Sequence, residues 1–187
     1  QNLPKHFDNP EFREDALRAI GKAAQRLNEL ISRLGLLRKQ PALRTLPVNL
    51  SDVIQTALKT VPPTGGVAIV TDLPPLPPVP LDAEQIQKVA TNLVLNALDA
   101  CGETGEIRVT TAAQDGWVSL TVQDTGCGMS PEFINRSLFR PFQTTKKKGI
   151  GIGMYHCKAI VDAHHGRIEV ESEEGKGTTF RVLLPAQ

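Results

Sequence analysis

Leu81-Asp82-Ala-Glu-Gln85-Ile-Gln-Lys88-Val-Ala-Thr-Asn92-Leu-Val-Leu-Asn96-Ala-Leu-Asp99-Ala-Cys101 reads as one amphipathic helix with two different faces. Ile86, Val89, Leu93 and Ala97 recur at helical spacing and form its core stripe. Gln85, Lys88, Asn92, Asn96 and Asp99 follow the same three- and four-residue steps on another face. Two asparagines at i and i+4 in apolar surroundings need partners, because an unpaired buried amide is costly. A carboxamide oxygen is also a hard ligand of the kind Mg²⁺ accepts alongside water and phosphate oxygens. Taken alone, the same pattern fits an ordinary solvated face.

Three blocks downstream change the weighing. Asp124-Thr-Gly126-Cys-Gly128-Met129 follows a strand pattern, placing a carboxylate at a strand end and glycines beside it. Such a carboxylate can accept from the exocyclic amine of adenine while the glycines let backbone approach a planar base; a plain Asp-Gly turn is the simpler alternative. Phe139-Arg-Pro-Phe142-Gln-Thr-Thr145-Lys146 reads as a flap. Gly149-Ile-Gly151-Ile-Gly153-Met immediately precedes a helix pattern, so its amides and the helix N-terminus can hold phosphate oxygens. It has neither the G-x-x-x-x-G-K-[ST] spacing of a P-loop nor a strand-linked G-x-G-x-x-G. Lys146, Lys147 and Lys148 put positive charge just before it, where a lysine run would otherwise be a solvated loop.

Working outward, Asn9-Pro10-Glu11 is a helix start, with capping side chain, proline and acid in order. The helix it opens, to about Lys39, carries Ile20, Ala23, Leu27, Leu30, Leu34 and Leu37 on a 3.5-residue seam suited to a helical bundle. Gln40-Pro41 stops it, and the texture changes near residue 46. Residues 48–50 read as a short strand, Ser51 as the cap of a helix to about residue 61, and 67–71 as a strand. The five prolines of 73–80 predict a stiff loop without regular structure. Strands are expected at 106–113 and 117–124 around the turn Gln114-Asp-Gly116, then a helix over 152–164 with Gly166 as its left-handed cap. Strands at 167–172 and 178–184, turning at Gly175-Lys-Gly177, close the chain. The sum is an α+β fold: a two-layer α/β sandwich, a mixed sheet with helices on one face, preceded by a long helix.

The 187-residue chain carries a net charge of +1 and 4% aromatics, with no basic patch interleaved with rings, which speaks against nucleic acid as a partner. Cys101, Cys127 and Cys157 are odd in number and contain no C-x-x-C, so no zinc site or disulfide frame is expected and a reduced, cytoplasmic setting is. No run approaches the roughly 18 apolar residues that span a bilayer, and no membrane contact by this chain is expected. Its abrupt start reads as a piece of a longer protein, one that a membrane segment elsewhere could anchor.

As an ordered set the four blocks resemble the N, G1, F and G2 boxes of sensor histidine kinases, within the superfamily that includes DNA gyrase, Hsp90 and MutL. The similarity covers residues 46–185, including Gly175-Lys-Gly-Thr-Thr-Phe180. It implies a Bergerat-type ATP-binding domain at 46–187 behind part of a dimerisation and phosphotransfer hairpin at 1–45, with ATP and Mg²⁺ as ligands. By that resemblance Asn96 binds Mg²⁺ with Asn92 assisting, Asp124 reads the adenine amine, and Gly126, Gly128 and Met129 line the base pocket. Phe139 and Phe142 anchor the lid; Thr145, Lys146, Gly149, Gly151, Gly153 and Thr178 contact or neighbour the phosphates, and Asp99 belongs to the same nucleotide-binding set. Catalytic weight falls on Asn92, Asn96 and Lys146. A response-regulator receiver domain and a second copy of the chain are the implied protein partners. Asp8-Asn-Pro-Glu-Phe12 with the lid is similar to kinases of PEP-CTERM exopolysaccharide systems.

One position separates branches of that superfamily. Gyrase-type ATPases carry a glutamate four residues before the metal asparagine as base for water, whereas here Asn92 stands there. An amide cannot take a proton, so efficient hydrolysis is not expected. An attacking imidazole needs no such base. His6-Phe7-Asp8 does not match the acceptor box, so the acceptor is expected upstream. Ile150 departs from the Thr usual after the first glycine of the last box, and His156, His164 and His165 read as surface or cap residues. The rival readings are an anti-sigma-type protein-serine kinase and a nucleotide-binding scaffold without turnover.

Overall fold

The computed structural model describes residues 43–62, 65–144 and 151–186. The N-terminal helix, His6, the lysine run, Thr145, Gly149 and Ile150 all lie outside the described residues.

Strand β1 (Leu46–Val48) leads directly into helix α1 (Leu50–Leu58). The cap is Asn49 rather than the expected Ser51: its carboxamide oxygen accepts from the Ser51 amide at 2.9 Å. Ser51 is instead buried, with its hydroxyl donating to Pro74 O and meeting Thr111 Oγ1 at 2.7 Å. Strand β2 (Gly66–Asp72) follows. The proline-rich stretch differs from expectation at its end, where Val79–Leu81 forms strand β3 and pairs antiparallel with β1. Pro47 lies opposite Pro80 in that ribbon. A proline pair is tolerated only where neither N–H is needed, the non-hydrogen-bonded position of an antiparallel pair.

Helix α2 (Ala83–Cys101) is the axis of the domain. Asp82 caps it, and Ile86, Val89, Ala90, Leu93, Val94 and Ala97 are buried, as the periodicity predicts. Strands β4 (Thr104–Gln114) and β5 (Trp117–Asp124) form the expected hairpin, followed by the short helix α3 (Pro131–Arg136), helix α4 (Gly153–Ala163), and strands β6 (Arg167–Glu173) and β7 (Gly177–Pro185).

The main sheet has the order β2-β4-β5-β7-β6. Only β2 and β4 run parallel, and the connection between them carries α2 across the sheet. Alternation along β5 buries Val118, Leu120, Val122 and Asp124 toward the helices, while Trp117, Ser119 and Thr121 face the other side. Helices α1 and α4 pack on α2, which lies on β4, β5 and β7, so the core is one layer between helices and sheet. This is the mixed-sheet α+β sandwich expected.

The end of α4 corrects one expectation. His165, not Gly166, takes the left-handed conformation, at φ 58°. Gly166 is required for space: a Cβ there would sit 2.4 Å from Leu183 O.

Candidate nucleotide site

Helix α2 carries the first block; the second and the described parts of the third and fourth gather around it. At its C-terminal end the Ala100 carbonyl, one of the last of the helix, accepts from the Cys127 amide at 3.0 Å. Gly126 lies so close that an added Cβ would meet the Ala100 carbonyl carbon at 2.5 Å. Gly128, at φ 67°, would place a Cβ 2.0 Å from Glu173 O; any side chain there would push the loop off the β6–β7 turn. That turn holds the loop from its far side, with the Gly175 amide donating to Cys127 O at 2.8 Å.

Asp124 ends β5 and is 5% exposed. Its Oδ1 accepts from the amides of Gly126 at 2.9 Å and Thr178 at 3.2 Å. Among the described residues these bonds reach one oxygen only, so the other oxygen can receive a donor from a ligand. Burial raises the Asp124 carboxyl above its ordinary value, with the two amides opposing that shift. Thr178 is thus tied to Asp124, and the β5–β7 register sets the two opposite each other. Ser172, which the motifs do not single out, is the hub beside them. Its hydroxyl donates to Gly177 O, meets Thr178 Oγ1 at 2.9 Å, and accepts from the Met129 amide at 2.9 Å.

One to two turns back along α2, the asparagines meet the start of α4. Asn96 Nδ2 contacts Met154 Sδ at 3.2 Å, which takes up the nitrogen end of that amide. Asn92 Oδ1 lies 3.4 Å from where a Gly153 Cβ would be. Asn92 also bonds the buried Cys157 thiol, which burial pushes up to about 12 against that bond. Gly151 (φ 72°) packs on the Gln143 backbone, and its carbonyl accepts from the Phe142 amide at 2.8 Å. Phe139 packs against the core. Phe142 is 44% exposed at φ 66°, and its backbone amide ties the flap to the glycine loop. Asp99 is exposed one turn beyond Asn96.

A second polar network, not foreseen from the sequence, fixes the other end of α2. His164 is buried, accepting at Nε2 from the Asp82 amide (3.0 Å) while Nδ1 faces Ile160 O (2.8 Å). Asp82 caps Gln85 through Oδ1 and accepts from the Arg44 amide through Oδ2. Burial acts to raise the Asp82 carboxyl, but these amides and nearby positive charge outweigh it and hold it below its ordinary value. His164 is thus the buried cap at the end of α4, as the cap reading expects, and an internal bridge to Asp82.

Asn96 has chemistry that suits Mg²⁺, a carboxamide oxygen being a hard ligand, and the nitrogen end of its amide faces Met154 at the start of α4. Among the described residues no group of three His, Cys, Asp or Glu side chains offers a rival metal site.

Residues 81–187 match the model of the histidine kinase-, DNA gyrase B-, and HSP90-like ATPases. The sensor histidine kinase ZraS of Escherichia coli K12 is 35% identical over 170 residues, covering 89% of this chain and 36% of that protein. The chain thus spans about a third of the length of such curated relatives. Full-length ShkA, crystallised in complex with AMPPNP, superposes with a TM-score of 0.75 at 26% identity, covering 91% of this chain and 37% of that one. The catalytic domain of histidine kinase ThkA in a nucleotide-free form gives 0.65 at 30% identity, over 77% of this chain and 97% of that one. With its ordered boxes folded around α2, the chain belongs to the histidine kinase-, DNA gyrase B- and HSP90-like ATPase family and carries the ATP-binding domain of a sensor histidine kinase.

Proposed function

We propose that this domain transfers the γ-phosphoryl group of ATP to a histidine outside the described residues, for relay to an aspartate of a response-regulator receiver domain. The observation that supports this most is the convergence on α2: a buried carboxylate at one end and two asparagines against a glycine loop at the other. Asp124 reads the adenine amine through the carboxylate oxygen that the two amides leave over. Gly126, Gly128 and Met129 flank the base, with Thr178 supporting Asp124. Gly151 and Gly153 approach the phosphates, with Thr145, Lys146 and Gly149 expected beside them. Asn96 holds Mg²⁺ and Asn92 orients its neighbourhood; the bound ion neutralises phosphate charge.

Asn92 favours transfer over hydrolysis. Its amide cannot deprotonate water, while a neutral imidazole brings its own lone pair. Residues 1–45 are then part of the dimerisation and phosphotransfer hairpin, and the full protein acts as a homodimer.

The test is phosphorylation of an acceptor hairpin supplied in trans with γ-labelled ATP. Wild type should form an acid-labile phosphohistidine, and Asn96→Ala should lose at least 100-fold of the rate, on the order of the loss of one preorganised electrostatic element. An acid-stable product would favour the serine-kinase reading, and ATP binding without any transfer would favour a scaffold.

A further inference from the structure

The pocket has a direction along α2. The base end is set at Ala100, where the G1 loop is held; Asn96 and then Asn92 follow toward the helix N-terminus. Phosphates extending from the base therefore point toward Lys88, one further turn along. At about 1.5 Å per residue, Lys88 stands roughly 6 Å beyond Asn92 and roughly 18 Å from Ala100. A lysine stem can close much of the remaining gap.

An open cavity of about 570 Å³ lies at that point, lined by Glu84, Gln87, Lys88, Thr91 and Asn92. Asn92 belongs both to this cavity and to the contact with Gly153, so the space adjoins the glycine loop. Among the described residues, Lys88 is the one cation in the lining and forms no ion pair. Its charge is felt on two sides: at Asp82, where burial raises the carboxyl but two amides, His164 and Lys88 bring it below its ordinary value, and at His156, three residues after Gly153, held below its ordinary value first by burial and then by Lys88.

We propose that Lys88 reads the terminal phosphate of the bound nucleotide and sets the preference of this domain for ATP over ADP. The inference rests on the ATP reading of the pocket. An ammonium is a compact point charge suited to a phosphate oxygen whose direction changes. Its interaction exists while the γ-phosphate is present and vanishes once that group has left, so the same residue favours substrate entry and product release. Glu84, one turn earlier, keeps the cavity mouth from becoming a general anion trap.

The experiment is titration of the whole chain with ATP and with ADP, each with Mg²⁺, for wild type, Lys88→Gln, Lys88→Arg and the control Lys59→Gln. Lys88→Gln should weaken ATP about tenfold or more, the size of one charge-assisted hydrogen bond, and ADP less than about twofold. Lys88→Arg should restore most of the ATP affinity, and Lys59→Gln should match wild type for both. Equal losses for ATP and ADP, or no loss for either, would overturn the assignment of Lys88 while leaving the pocket intact. Failure of wild type to bind either nucleotide would overturn the pocket reading itself, and the assignment with it.

Discussion

Asp124 has two opposed demands placed on it. Its fold environment disfavours charge, since burial raises its carboxyl against the pull of two amides. Base recognition needs the carboxylate. As pH falls through the raised folded value toward the unfolded value of about 3.9, the protonated form becomes favoured in the fold first. This group's contribution to stability is therefore present below the unfolded value and lost as pH rises through the folded one, while adenine affinity runs the other way. Adenosine binding should decline on acidification above the ordinary aspartate range, and fluorescence titration across pH reads it. Asp124→Asn should remove that dependence and weaken ATP about tenfold while leaving inorganic triphosphate within about twofold. Equal losses for both ligands would take base reading away from Asp124. This residue was legible because strand end, carboxylate and glycines are adjacent in sequence. Ser172 was not, because its position depends on a strand register that local sequence does not carry; the same register sets Thr178, named from its motif, opposite Asp124. Phe142 was expected to help anchor the lid, and its amide bonds Gly151 O.

Among the elements, α2 carries both structure and site. Ile86, Val89, Leu93 and Ala97 of its core stripe were readable, because a 19-residue helix gives periodicity many repeats, while Ala90 and Val94 widen the stripe beyond that reading. Strand β3 was hidden by prolines that normally exclude regular structure; it forms with Pro80 facing Pro47, at a position that needs neither N–H. The N-terminus of α2 is fixed by Asp82, which joins Gln85, Arg44 and His164. Asp82→Ala should cost about 1–2 kcal/mol in urea denaturation, the range for a lost cap. Since the folded carboxyl lies below its ordinary value, this stability is present above the unfolded pKa of about 3.9 and lost as pH falls through the folded value. The gap between wild type and variant should be full at neutral pH and shrink below pH 4. A gap unchanged at low pH would show that ionisation of Asp82 contributes nothing.

For the whole molecule, the two-layer architecture followed from the alternation of helix and strand patterns, whereas the strand order did not. Placing β7 between β5 and β6 and setting β2 parallel to β4 are choices of packing among distant segments. The site was legible as an ordered set of motifs for the same reason that the fold is needed: residues from Asn92 to Thr178 matter only when α2 gathers them. The proposed separation of roles along α2, base end at Ala100 and phosphate end at Asn92, rests on contacts that the motifs alone do not order. It is also the claim on which the kinase reading and the role of Lys88 both stand. Calorimetric titration of the chain with ATP and with GTP, each with Mg²⁺, tests it most directly. One saturable site for ATP, with GTP at least tenfold weaker because its exocyclic groups present a carbonyl to the Asp124 carboxylate, is the predicted result. No binding heat with ATP, or equal affinity for the two nucleotides, would contradict it.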